Sequence, residues 1–432
     1  MRRISFRTMA GIFAGVPAVV FCSGLAMAAE STDDLKQLRQ ELSKQRAYIE
    51  QLEKRLETQE AKAEAKDKTD ARERAQAKAD SLNIDAGYND GFYIRIKNRP
   101  FSLVANAFAQ FTYTLSKPEG ISLNNTFDVS LARLAFSGIM FDPDLSYFMQ
   151  IQGSTLGNNN NITMLDWWMK YNFSPQLALQ GGRFVLPYSR QFYTHPGNLL
   201  FADLSEADYA FNLPRGIGAH AAGKAGRLSY HLATLNSIRA LDAPGQQNFG
   251  DEIGVLGRLE FDVLAPYGYY ESSPKPIRET QMSIGLAAAF NPIDGGSSFQ
   301  NLLQGDKTTN LTVDLGFRWD WLTFQTAGYY RRTSFGTAGL SNGNDWGYYS
   351  QLGYFVVPEK WELAGRISGV EFDKANNPGT TGDTTAYTLG MNYYVHGHNI
   401  KFQSDYSLLD QDRFQGRSRF DHRFRLQTQF LF

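Results

Sequence analysis

From about residue 91 to the C-terminus, apolar and polar residues alternate in runs of roughly ten. In the last run Phe424, Leu426, Thr428, Phe430 and Phe432 share one parity, and Arg423, Arg425, Gln427 and Gln429 share the other. Ile253, Val255, Leu259, Phe261 and Val263 oppose Glu252, Arg258, Glu260 and Asp262 in the same way. Leu311, Val313, Leu315, Phe317 and Trp319 oppose Thr312, Asp314, Arg318 and Asp320. Strand side chains point to opposite faces in turn, so each run predicts a strand with one apolar and one polar face. A soluble protein buries the apolar face in a core. A membrane barrel turns that face to lipid and the polar one to a wet lumen. Charges in mid-strand, and a last strand ending on an aromatic residue, favour the barrel.

Sixteen such segments can be placed. They are Phe101–Leu115, Thr126–Phe141, Leu145–Thr155, Ile162–Phe173, Leu177–Val185, Arg215–Lys224, Leu228–Asn236 and Asp251–Leu264. The second half is Glu279–Asn291, Asn310–Trp319, Trp321–Thr333, Asp345–Val357, Trp361–Phe372, Thr384–Val395, Asn399–Leu409 and His422–Phe432. Their connections alternate between short turns, such as Asp142-Pro143-Asp144 and Pro358-Glu359-Lys360, and long loops, such as Leu186–Pro214. Short periplasmic turns and long outer loops mark an outer-membrane barrel. Ala265–Arg278 breaks the rule, being long where a short turn is expected. Sixteen strands enclose an aqueous channel. Trp167, Tyr171, Trp319, Trp321, Tyr329, Tyr354 and Trp361, near strand ends, are candidates for the interfacial girdles.

The preceding segment has a different period. From Asp33 to about Ser81 there is no Pro or Gly, and Leu35, Leu42, Ile49, Leu56 and Ala63 lie seven apart, interleaved with Leu38, Gln45 and Leu52. This is a coiled-coil seam, on a helix about 70 Å long at 1.5 Å per residue. A single solvated helix is the alternative. At the N-terminus Arg2, Arg3 and Arg7 precede an apolar run from Met9 to Leu25, and Ala26-Met27-Ala28 ends it. That pattern is a cleavable secretory signal. The domain plan is a signal peptide over 1–28, a periplasmic coiled coil over 30–81, a linker over 82–91 and a barrel over 92–432. The fold class is thus all-β, a sixteen-stranded antiparallel transmembrane barrel behind an α-helical stalk, located in a Gram-negative outer membrane.

Composition narrows the function. The only cysteine, Cys22, lies in the signal segment, which excludes disulfides and thiolate chemistry in the exported chain. Mean hydropathy is −0.38 although aromatics reach 14%, as alternating strands allow. The formal net charge of −1 argues against nucleic acid. His195, His220, His231, His396, His398 and His422 are scattered, without nucleophile-elbow or zinc-ligand spacing, so neither an enzyme, a metal nor a cofactor is expected.

Several segments resemble the phosphate-selective porin O and P family. They are Leu131–Gly138 with Asp144–Tyr147, Tyr171–Pro175, Gly182–Arg190, Arg215–Gly218, and Gly353–Phe355 with Trp361–Arg366. The stalk is also similar to that of dicarboxylate-type porins. The resemblance implies a trimeric channel in outer-membrane lipid, with the stalks of three subunits meeting in the periplasm. It also implies an arginine ladder and lysine cluster at the constriction. Parity places Lys170, Arg258, Arg318, Arg331, Arg366, Lys401, Arg423 and Arg425 on polar faces, and Arg133 and Arg183 lie in the family-like motifs. Arg190 stands on Leu186–Pro214, where an inward-folded constriction loop is expected. These eleven are the channel-lining candidates. Acidic residues share their faces, so a cross-strand ion pair bracing the wall is the alternative for each. The expected function is passive diffusion of small anions such as phosphate. A general or dicarboxylate porin, or a tether that touches peptidoglycan or a periplasmic partner through the stalk, is the alternative.

Overall fold

The computed structural model describes residues 32–81, 84–155, 162–239, 253–292, 307–335, 342–373, 381–413 and 418–432. The expected signal peptide lies outside the described residues, as do parts of several long connections. The chain divides into Met1–Ser81 and Leu82–Phe432. In the first unit α1 (Thr32–Ser81) is one continuous helix of 50 residues. Its Ala, Leu, Glu, Lys and Arg content suits a helix, and Lys68 pairs with Glu64 one turn away at 2.7 Å. Leu42, Ile49, Leu52 and Leu56 of the heptad seam are exposed.

The second unit begins with a hairpin, β1 (Ile84–Tyr88) and β2 (Phe92–Ile96). Most of it falls within residues 82–91, expected from the sequence to be a linker. Gly91, at φ 141°, makes its turn, and β2 pairs with the start of the next strand through Phe92↔Ala105 and Ile96↔Phe101. Hydrogen bonding to that exposed edge is what orders the segment.

Sixteen strands follow. They are β3 (Phe101–Lys117), β4 (Asn124–Met140), β5 (Asp142–Gly153), β6 (Ile162–Ser174), β7 (Leu177–Val185), β8 (Arg215–Ala225), β9 (Leu228–Arg239) and β10 (Gly254–Asp262). The rest are β11 (Ile277–Pro292), β12 (Lys307–Asp320), β13 (Leu322–Ser334), β14 (Gly343–Val357), β15 (Trp361–Glu371), β16 (Thr381–His396), β17 (Ile400–Arg413) and β18 (Arg419–Leu431). Each pairs antiparallel with its neighbours. The ladder from His422↔Lys117 to Leu431↔Phe108 joins β18 to β3 and closes the barrel. Every segment read from the sequence is present, with ends moved by a few residues.

The parity is inside-out relative to a soluble protein. On β18 Arg425, Gln427 and Gln429 are buried in the lumen, while Leu426 and Phe430 are exposed. On β12 Thr312, Asp314 and Arg318 point inward, and Leu311, Val313 and Trp319 point outward. An apolar outer face is stable only against lipid. Trp167, Trp319, Tyr354 and Trp361 carry exposed rings at that face. Tyr329 does not: it lies on the inward parity of β13, 2% exposed, and is a lumen residue rather than part of a girdle.

Among the described residues two connections enter the lumen. Residues 186–214 hold the short helices α2 (Arg190–Tyr193) and α3 (Glu206–Phe211). Residues 263–276 enter from the short-turn end, which accounts for their unusual length. The two meet: Gln191 Nε2 donates to Glu271 Oε1 at 2.7 Å, and Leu200 N–H to Glu271 Oε2 at 2.8 Å. The inserted rings lie against wall glycines. A Cβ at Gly347 would stand 2.5 Å from the Phe211 ring, and one at Gly316 would stand 2.5 Å from the Tyr267 ring.

Candidate functional site

Between residues 186–214 and the wall formed by β3–β8 and β18 the inserted segments leave a passage, a cavity of about 690 Å³. Five cations line it, Arg133, Lys170, Arg215, Arg423 and Arg425, against three carboxylates, Asp128, Asp166 and Asp203. The strand period sets this order: side chains two apart on adjacent strands converge on the lumen.

Four of the eleven sequence candidates therefore face the passage. Arg133 Nε donates to Gln152 Oε1 at 2.7 Å. The Lys170 ammonium sits 5.8 Å from the Trp168 ring centre. Arg423 pairs with Glu206 of the loop at 2.7 Å. Arg425 pairs with Asp405 across the β17–β18 ladder at 2.9 Å and with Asp203 of the loop at 3.2 Å.

Six others hold the inserted segments to the wall. Arg190 joins Asp314 at 2.5 Å and Glu260 at 3.1 Å. Arg258 joins Asp314 at 2.7 Å and donates to Tyr188 O at 3.0 Å. Arg318 donates to Tyr267 O at 2.6 Å, with its guanidinium 3.8 Å from the centre of that ring. Arg331 pairs with Asp345 at 2.7 Å and donates to Ala210 O at 3.2 Å. Arg366 donates to Asp203 O and Leu204 O at 3.0 and 3.2 Å. Lys401 donates to Leu199 O at 2.9 Å. Irregular backbone inside a barrel lacks ladder partners for its carbonyls, and these cations supply them.

Arg183 is the exception. It stands opposite Trp167 and Ile217 in the ladders, on the parity of the exposed apolar residues, and its Nε donates to Leu165 O at 2.7 Å. The pairings with both neighbouring strands run through Gly182 and Arg183 in step, so Arg183 keeps the outward parity of Leu177 and Leu179. In the other direction, parity reading missed Arg215, which makes a bidentate pair with Asp166 at 3.0 and 3.2 Å. Arg215 opens its strand directly after the loop, beside a register shift between Gly216 and Gly218, so alternation gave it no face. His195, also at the passage, adds no charge: burial pushes it down to about 3, with Arg133 and Lys401 contributing.

A closed sixteen-stranded barrel with an apolar outer face and a constricted polar lumen defines a transmembrane channel of the outer-membrane type. The family described as "Phosphate-selective porin O and P" matches residues 106–432, and the chain belongs to that family. No curated protein matches the chain. Among solved structures, the outer membrane channel DcaP of Acinetobacter baumannii is similar at 12% identity and TM-score 0.53, over 76% of this chain and 97% of that one. Salmonella typhi OmpF in complex with daunomycin is similar at 12% identity and TM-score 0.55, over 81% and 100%. OmpT of Vibrio cholerae in its trimer form is similar at 10% identity and TM-score 0.51, over 76% and 99%. At these identities the likeness is one of fold.

Proposed function

We propose that this porin passes small anionic solutes, phosphate among them, by passive diffusion through the passage in its lumen. The observation that carries the reading is the excess of cations over carboxylates lining the cavity. In a narrow passage with low-dielectric walls such an excess concentrates anions. Much of the charge is balanced, since Arg215 pairs with Asp166 and Arg425 with Asp405. This balance supports a modest preference, of the kind a dicarboxylate-type or general porin has, rather than a dedicated phosphate filter.

In the same reading residues 1–28 are a cleaved export signal, and α1 is a periplasmic coiled coil that joins three subunits. The exposed seam Leu42, Ile49 and Leu56 supports this assembly, and the OmpT neighbour is a trimer. The stalk then also serves for tethering to peptidoglycan or a periplasmic protein. The test is the reversal potential of the purified protein in a planar bilayer under a KCl gradient, repeated with phosphate and with succinate. Anion preference that weakens in Lys170→Glu and persists in Arg183→Gln is the expected result. Cation preference, or no conductance, would refute it.

A further inference from the structure

Polar side chains such as Gln110, Thr112 and Gln150 line much of the passage wall, as water requires, but one corner is aromatic. Phe148 and Trp168, on neighbouring strands, stack with ring centres 5.5 Å apart and an interplanar angle of 17°. Phe184 from β7 stands beside Trp168 in one apolar cluster, and the loop brings Phe192 to the same cavity. Phe148, Trp168 and Phe192 are half-buried and face the lumen. Apolar rings held open to a water-filled channel lose solvation energy unless something covers them. Cations sit over two of these rings. Lys170 lies 5.8 Å from the Trp168 ring centre and the Arg215 guanidinium 6.0 Å from that of Phe192. Among the described residues Lys170, on the same cavity, makes no ion pair.

We infer that this corner is a binding site for an aromatic monocarboxylate, with the ring against the Phe148–Trp168–Phe192 cluster and the carboxylate at Lys170. The inference rests on the anion-channel reading above and names a substrate class for it. Charge alone does not require the cluster: an inorganic anion such as phosphate has no apolar face to cover it. A benzoate-sized solute has both faces, and a cavity of about 690 Å³ falls within the roughly 300–1,000 Å³ typical of small-molecule sites. Offset stacking on a ring that is otherwise wet adds directly to its affinity.

The test uses the full-length protein in planar bilayers at fixed KCl, with benzoate and acetate titrated separately and the block of ion current recorded. Benzoate is expected to block at roughly tenfold lower concentration than acetate, the factor that one good stacking contact supplies. Trp168→Ala should bring benzoate to the acetate value and leave acetate unchanged, and Phe192→Ala, on the loop, should do so in part. Lys170→Gln should weaken block by both. Equal block by benzoate and acetate in the unaltered protein, or unchanged benzoate block in both aromatic variants, would overturn the inference while leaving anion preference intact. Cation preference in the KCl gradient would instead overturn the reading beneath it.

Discussion

Arg190 on the constriction loop and Asp314 on β12 form an ion pair at 2.5 Å in which neither side chain reaches solvent. Asp314 is shared with Arg258 at 2.7 Å, and the wall and the loop thus compete for one carboxylate. Removing one partner of a buried pair leaves an uncompensated charge and costs about 3–5 kcal/mol. Asp314→Leu is expected to leave both arginines sharing Glu260 alone, loosen α2 from the wall and lower the temperature at which the barrel unfolds in detergent. Arg190→Met should cost less, because Arg258 still holds Asp314. Both should raise single-channel conductance and open-channel noise. Additive effects of Arg190→Met and Asp314→Leu in a double-mutant cycle would show the pair to be uncoupled.

The Gly316 and Gly365 positions separate close approach from ordinary strand propensity. A Cβ at Gly316 would stand 2.5 Å from the Tyr267 ring, whereas one at Gly365 meets nothing within 4 Å. Overpacking of this kind costs about 1–3 kcal/mol. Gly316→Ala should therefore lower the melting temperature and loosen residues 263–276, detected as faster proteolysis at that segment. Gly365→Ala should be neutral or slightly stabilising. Equal behaviour of the two variants would remove the close-packing account of the insert.

The barrel was legible because its period is local: alternation on β18 and β12 requires only a strand and two solvents, lipid outside and water inside. Strand count and loop parity followed from the same signal. The site was legible only in part. Parity correctly turned Arg258, Arg318, Arg331 and Arg366 inward, but it does not distinguish an arginine facing water from one binding a carbonyl of an inserted loop. That difference depends on where residues 186–214 and 263–276 fold, which is a long-range matter. Tyr329 was misassigned for the same reason: a tyrosine on the inward parity had a partner, Asp208, supplied by the loop at 2.7 Å. Arg215 flanks a register irregularity, where alternation carries no information, whereas Arg183 lies on the outward parity of ladders that stay in step around it.

Asp208 makes the loop anchor pH-dependent. Its carboxylate lies on α3 and accepts from Ser189 and Tyr329, while Oδ2 has no hydrogen-bond partner. Burial raises its pKa to about 7; the two hydroxyl donors and Arg366 oppose the shift, and Glu271 adds to it. A carboxyl with a raised folded-state pKa keeps its proton in the folded protein when the unfolded chain has lost it. Stability is then greatest below the unfolded value of 3.8 and falls as pH rises to about 7. The loop should be quieter in current recordings at pH 5 than at pH 8, and Asp208→Asn should abolish that difference. A pH-dependent noise that survives in Asp208→Asn would assign the titration elsewhere.

The apolar seam of α1 provides a test of assembly that is independent of the channel. Ile49 and Leu56 are 54% and 59% exposed on the single helix, and a 50-residue helix of this composition has no other apolar face to bury. The proposed association along the seam would cover them, and each such side chain contributes at most about 1.5–3 kcal/mol on burial. Replacing both with Lys should therefore remove at most about 3–6 kcal/mol of assembly energy per chain without touching the barrel. In the full-length protein the helical circular-dichroism signal at about 222 nm should melt at a lower temperature in the double variant. The strand signal and single-channel conductance should stay as they were. Identical helix melting in both proteins would mean that α1 is a solvated single helix, and the stalk would then have no part in joining subunits.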